Sequence, residues 1–320
     1  MNTGTVVKLV LAALLVIVGG LIFAAALISV GFDFSKLGNV KVETNTYTPS
    51  GKFDGIIIEG MTDDVTFKKS TDGTRIVCRE SEKLKHTVSV DNKTLRVIAE
   101  DTRKWYDHIT FFGSKDLGIT VYLPEGEYSS LSLDITTGDV NVPDGFTFDT
   151  VKIDCTTGDV EYSADATTSL EIKTTTGDIE VSDVKTGKMS LKVTTGDIEV
   201  NDVNVDGEIK IKHTTGEAEL DSITCGSLVG EGATGDIVLE RVIVENLLSV
   251  KTSTGDIIFE ECDAEEIYAK ATTGSVSGTL LSEKIFITDT STGNTDVPKT
   301  ATGGRCEITT TTGDIRIKVK

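Results

Sequence analysis

The sequence is short of the residues from which compact cores are usually built. Aromatics make up 6% of its 320 residues, with one tryptophan, and proline occurs only four times. That argues against a core of large rings. The apolar material is mostly Val, Ile and Leu beside many Thr, the composition of pleated strands. Cysteine is sparse too: Cys78, Cys155, Cys225, Cys262 and Cys306 are scattered, odd in number and lack CxxC spacing. A dense disulfide framework is excluded, and they read as small core residues. Positive charge is in deficit, 31 Lys and Arg against 51 Asp and Glu, for a net −20. Nucleic acid is thereby excluded as a partner, because phosphate binding needs a basic surface.

Long apolar runs are confined to one place. Leu9 to Val30 is 22 residues without a charge, enough at helical rise to cross a bilayer core of about 30 Å. Lys8 and the terminal amine precede it, which places residues 1–8 in the cytoplasm and the remainder outside. The expectation is a single-pass cell-membrane protein with an extracytoplasmic C-terminal domain. The rival reading is a cleaved signal peptide, with Ala24-Ala25-Ala26 supplying small residues, although such apolar regions usually run only about 7–15 residues.

What the sequence has in abundance is a repeat. Thr-Gly recurs at regular spacing in ten places, at Gly138, Gly158, Gly177, Gly196, Gly216, Gly235, Gly255, Gly274, Gly293 and Gly313, with gaps of 19 or 20. Seven copies carry Asp after the Gly; Glu217, Ser275 and Asn294 are the exceptions. Counting from the Gly, apolar residues recur at −7, −5, +2 and +4, as in Met189, Leu191, Ile198 and Val200. Spacing of two means half-buried strands, and the odd gap from −5 to +2 requires a corner between them. Gly supplies positive φ there, and Asp can bond nearby backbone. A further apolar position at +7 (Val184, Val203, Ile223, Val242, Cys262, Leu281) predicts a third inward segment.

A unit this short cannot bury its own apolar face, so copies must stack. The expected fold is all-β: a β-solenoid, parallel β-helix-like, of ten 19–20-residue coils over 131–320. With successive coils in register at about 4.8 Å it would span roughly 48 Å. Helical repeats would need a 3.6 period, and propeller blades about 40 residues. Residues 31–50 read as a linker. Residues 51–130 read as degenerate β coils that cap the stack, with strands at Gly55–Glu59, Val65–Lys69, Arg75–Arg79, Thr87–Val90, Leu95–Ala99 and Ile119–Leu123. Ile56, Ile58, Thr62, Asp64, Val65 and Phe67 match the repeat template. Trp105, Tyr106, Phe111 and Phe112 cluster in a polar excursion from Asp101 to Asp116; they are expected to plug the end of the core, or else to bind a partner. The C-terminal Ile315–Lys320 alternates apolar and basic residues, which would discourage edge pairing.

Signals of chemistry are few. Gly230 to Gly235 matches G-x-G-x-x-G, but inside a repeat that continues as strand and not at the start of a helix. His213 falls at −3, an inward column shared with Ile135, Cys155, Thr174 and Val193, and reads as an interior residue. His86 and His108 show no catalytic partners in sequence. Outward positions form stripes: Lys173, Lys192, Lys212, Lys251 and Lys270 at −4, and Glu161, Glu180, Glu199 and Glu219 at +3. They read as solvated faces or as a binding stripe. Asp139, Asp159, Asp178 and Asp197 would stack at strand spacing; they are either corner-bonding or a weak candidate site for Ca²⁺. No other metal, cofactor or catalytic residue is expected.

The T-T-G-D-I/V repeats, Phe53-Asp54-Gly55-Ile56-Ile57-Ile58 and Thr120-Val121-Tyr122-Leu123-Pro124 resemble the bacterial "putative adhesin" β-strand-repeat family, a domain of unknown function, over roughly residues 50 to 320. The resemblance implies a membrane-associated protein, in some cases encoded beside envelope stress-response systems, and carries no catalytic residues. Three functions follow as expectations. The first is a non-enzymatic surface scaffold for adhesion or binding of an envelope component such as a glycan. The second is a regulatory envelope protein acting on a membrane partner. The third, least supported, is a β-helix carbohydrate enzyme, since no matched acid and base stand out.

Overall fold

A computed structural model describes residues 42–102 and 117–320, besides the isolated Gly19. The apolar segment 9–30 and the aromatic residues Trp105, Tyr106, Phe111 and Phe112 lie outside the described residues, as does His108. Among the described residues no helix is long and apolar enough to cross a membrane.

The described chain is strand and turn throughout, in one continuous β-solenoid. We number the coils 1 to 10 by their corner glycines, Gly138 to Gly313. Parallel pairing in register is the rule: Leu170 lies against Met189, Met189 against Ile209, Ile209 against Leu228 and Leu228 against Leu248. The four template positions face inward in every interior coil. Met189, Leu191, Ile198 and Val200 are all 1% exposed or less, each worth about 1.5–3 kcal/mol over an exposed side chain. The third inward column also forms, with one correction. Leu281 is 41% exposed and Leu280 is buried in its place, opposite Cys262. Between coils 4 and 5 the difference of one residue is absorbed at the corner after this column. Thr186 pairs with Val205 and Met189 with Ile209, so coil 5 fits one more residue between them.

The corner needs glycine for two reasons. Its φ is positive throughout, +137° at Gly196. In addition, a Cβ on Gly196 would lie 2.7 Å from the carbonyl carbon of Gly177 below, and closer still to its oxygen. A second corner, at +6, uses left-handed residues that are not glycine: Asp183, Asp202, Ser222, Arg241 and Glu261, all with φ between 52° and 58°.

Stacking is not sequential at either end. Coil 8 pairs with coil 10 (Ile267 with Cys306, Val276 with Ile315), and coil 9 packs on the far side of coil 10 (Phe286 with Cys306). The C-terminal strand Ile315–Val319 is therefore interior, between Val276–Leu280 and Thr295–Asp296, and not the charged edge expected from its alternation. The reason lies in the inward columns. Coil 10 offers Ile308 and Ile315, both buried, whereas coil 9 has Thr288 and Thr295 at those two positions, between Phe286 and Val297. The coil with the more polar inner face is the one that can end the stack.

The N-terminal end is a cap of seven strands: β1 (Val42–Tyr47), β2 (Gly55–Thr62), β3 (Asp64–Lys69), β4 (Arg75–Ser81), β5 (Leu84–Asp91), β6 (Thr94–Asp101) and β7 (Gly118–Leu123). All six strands expected here form, each somewhat longer. β2 and β3 make the degenerate coil beneath coil 1, Ile56 under Leu131 and Val65 under Val140. They do not start the stack, because β6 and β7 form a further parallel layer below. Below it the pairing turns antiparallel, β5 against β6 and β4 against β7 and β1. Asn92 and Lys93, both at positive φ, close the β5–β6 hairpin. The linker expected over 31–50 does not reach Tyr47: Val42–Tyr47 is strand β1.

Candidate functional site

Two regions gather polar chemistry: the outward columns of the solenoid and the buried end of the cap.

Along the corner, Asp139, Asp159, Asp178 and Asp197 do form one column. Each spends Oδ1 on the coil above: it accepts the backbone N–H of Asp159, Asp178, Asp197 and Glu217 at 3.0, 2.9, 2.8 and 2.7 Å. The column begins lower, where Asp64 accepts the Asp139 amide at 3.0 Å. Glu217 breaks it. Burial, then the charges of Asp236, Glu219 and Asp197, raise the Glu217 pKa.

The inward −3 column has a matching task. The corner carbonyl turns toward it, and Cys155, Thr174, Thr252 and Thr310 donate to the carbonyls of Gly138, Gly158, Gly235 and Gly274 at 3.5, 3.3, 3.2 and 2.8 Å. His213 occupies the same column, 2% exposed, with neither nitrogen hydrogen-bonded. Burial lowers its pKa, against the opposing charge of Asp197 and the backbone at Gly216. Its space comes from Gly232 above, where a Cβ would meet Nε2 at 2.5 Å. The G-x-G stretch is thus a packing device on the strand Thr224–Thr234.

Outside, the lysine row is continuous from Lys173 through Lys192 to Lys212, passes Glu231 and resumes at Lys251 and Lys270. Lys212 Nζ meets Glu231 Oε2 at 2.8 Å and holds that carboxyl below its usual range. A shallow groove of ≈ 330 Å³ runs along this row beside Ala233 and Ser253. Glu161, Glu180, Glu199 and Glu219 stack in register on the next side.

In the cap, β4 turns Ile76, Cys78 and Glu80 inward, and β5 turns Leu84 and His86 inward. Asp63 closes the corner between β2 and β3. His86 Nε2 lies 3.3 Å from Asp63 Oδ2, and Nδ1 lies 3.4 Å from Glu80 Oε1, all with side chains 0% exposed. Tyr47 donates to Glu80 Oε1 at 2.9 Å and Asn45 to Oε2 at 3.0 Å. Burial opposes charge on His86, but Asp63 and Glu80 outweigh it and raise its pKa. Burial and the nearby Glu80 and Asp63 push the Cys78 thiol up to about 12. The signal for this cluster was present in sequence: Glu80 and His86 fall on the apolar phases of two strands. All five cysteines are free and buried.

The family model for Toastrack DUF4097 matches residues 53–225 and 204–320. The chain belongs to the Toastrack DUF4097 family. The expected resemblance to a bacterial "putative adhesin" domain of unknown function is borne out. No curated protein matches the chain. Among solved structures, a "putative adhesin" from Parabacteroides distasonis is similar at 12% identity and TM-score 0.50, over 87% of this chain and 98% of that one. A "putative lipid binding protein" from the same organism matches at 19% identity and TM-score 0.49, over 77% and 98%. A "putative adhesin" from Bacteroides fragilis matches at 16% identity and TM-score 0.42, over 87% and 97%. At 12% identity the first of these likenesses speaks for the fold alone.

Proposed function

We propose that the chain is a non-enzymatic surface scaffold, tethered to the cell membrane through residues 9–30. On this reading it holds an extended envelope component or a neighbouring cell against its outward columns. One observation carries the reading: outward groups recur coil after coil at one strand spacing, while the two described histidines are sealed in the interior. A repeating array suits a repeating polymer, and both of these histidines are buried, His86 at 4% and His213 at 2% exposed. The lysine row from Lys173 to Lys270 suits an anionic polymer, whose charges it meets within an otherwise acidic surface.

The test is binding of the full chain to purified envelope glycans, compared with a Lys192→Glu, Lys212→Glu, Lys251→Glu variant. Loss of binding in the variant with strand content intact supports the reading. Equal binding by both chains removes the lysine row from it, and turnover of the glycan replaces the scaffold with an enzyme.

A further inference from the structure

The cap cluster stands apart among the described residues. The inward columns along the stack are otherwise filled by aliphatic and aromatic side chains, by hydroxyls or thiols, by Lys284 near the far end and by His213. Here Cys78, Glu80 and His86 each offer a ligand atom, all three buried, with those atoms within 4.8 Å of one another. The hydrogen bonding around His86 is incomplete. Although His86 sits between two carboxylates, neither its Nδ1 nor its Nε2 makes an aligned hydrogen bond, and Asp63 Oδ1 has no partner. Buried polar atoms left in this state ask for an absent group.

We propose that Cys78 Sγ, Glu80 and His86 Nδ1 bind a divalent transition ion of the Zn²⁺ type, with Asp63 as the positioning residue behind His86. The donor set decides the class: a thiolate and an imidazole beside one carboxylate select Zn²⁺ over Ca²⁺ or Mg²⁺, which take oxygen ligands. The surroundings match a metal's outer shell. Asp63 Oδ2, 3.3 Å from Nε2, is placed to take that nitrogen's proton once the ion is bound, while Nδ1 faces the Glu80 carboxylate at 3.4 Å. Tyr47 and Asn45 hold the Glu80 carboxylate from behind. The two charges of the ion balance Cys78 thiolate and Glu80. The ion also ties β4 and β5 to the β2–β3 corner through Asp63, at the end of the stack where parallel pairing stops.

The test uses the purified full chain, stripped with chelator and then given Zn²⁺ or Co²⁺. Expected are a single Zn²⁺ retained per chain after gel filtration, and a Co²⁺ form with a thiolate charge-transfer band in the near ultraviolet. Cys78→Ser abolishes that band, and Asp63→Asn weakens Zn²⁺ binding by about 10–100-fold. The proposal is overturned by a chain of native strand content that retains no ion. It is equally overturned by a Co²⁺ spectrum without the thiolate band, or by one unchanged in Cys78→Ser, since the ion would then sit on surface carboxylates. The wild-type metal content and spectrum decide the matter even if a variant fails to fold.

Discussion

Replacing Gly196 by Ala tests the corner most directly. The residue stands at φ +137°, and the new Cβ would lie 2.7 Å from Gly177 C and 2.8 Å from Asp178 Oδ1. The conformation alone costs an L-residue about 1–3 kcal/mol. Ordinary contact requires the two coils to separate by roughly 1 Å, which stretches the corner bonds. Two of these join the coils concerned, Gly177 N–H to Thr195 O at 3.0 Å and Asp197 N–H to Asp178 Oδ1 at 2.8 Å. Each such bond contributes about 1 kcal/mol, so the total is about 3–5 kcal/mol. Gly73→Ala isolates the conformational part, because Gly73 has φ +89° and nothing within 4 Å of its Cβ. Urea denaturation followed by circular dichroism gives both values. If Gly196→Ala destabilises no more than Gly73→Ala, close approach of the coils is not what demands glycine, and the reasoning fails.

Three further outcomes follow from the same geometry. Thr252→Val removes the donor to Gly235 O and should cost about 1–3 kcal/mol in denaturant midpoint, whereas Thr252→Ser should recover most of it; equal losses would deny the carbonyl any role. For His213 the folded pKa is lowered, so as pH falls through about 6.5 the unfolded chain takes up a proton first. Its contribution is full above that pH and declines below it. The stability of His213→Thr should therefore fall less steeply than wild type between about pH 7 and 5, and parallel curves would refute this. The end order is tested by cysteine pairs. Lys270→Cys with Thr309→Cys, neighbours in register, should crosslink, and Lys270→Cys with Asp289→Cys should not. The reverse result would restore sequential stacking.

Much of the solenoid was legible because its rule is local. Met189, Leu191, Ile198 and Val200 announce their burial by a period of two, and each Thr-Gly announces a corner where that period breaks. The cap cluster was partly legible as well. Glu80 and His86 occupy inward phases of β4 and β5, an anomaly visible without coordinates, but Asp63 joins them from a corner some twenty residues away. His86 was consequently read without partners. The left-handed corner at +6 left no trace, because Asp183, Ser222 and Arg241 share no residue type that marks positive φ.

The sequence by itself determined the coil: its length, its inward columns, its Thr-Gly corner and the acidic character of its surface. Only the tertiary structure decided which coil lies on which. Any two coils offer similar apolar ladders and backbone edges, so pairing by itself does not distinguish coil 8 on coil 9 from coil 8 on coil 10. The choice falls to the ends, where an inner face must meet water: Thr288 and Thr295 tolerate that, and Ile308 and Ile315 do not. The same holds for the corner carbonyls and the buried His86. Their partners are set by the neighbouring coil or strand, which local spacing cannot name.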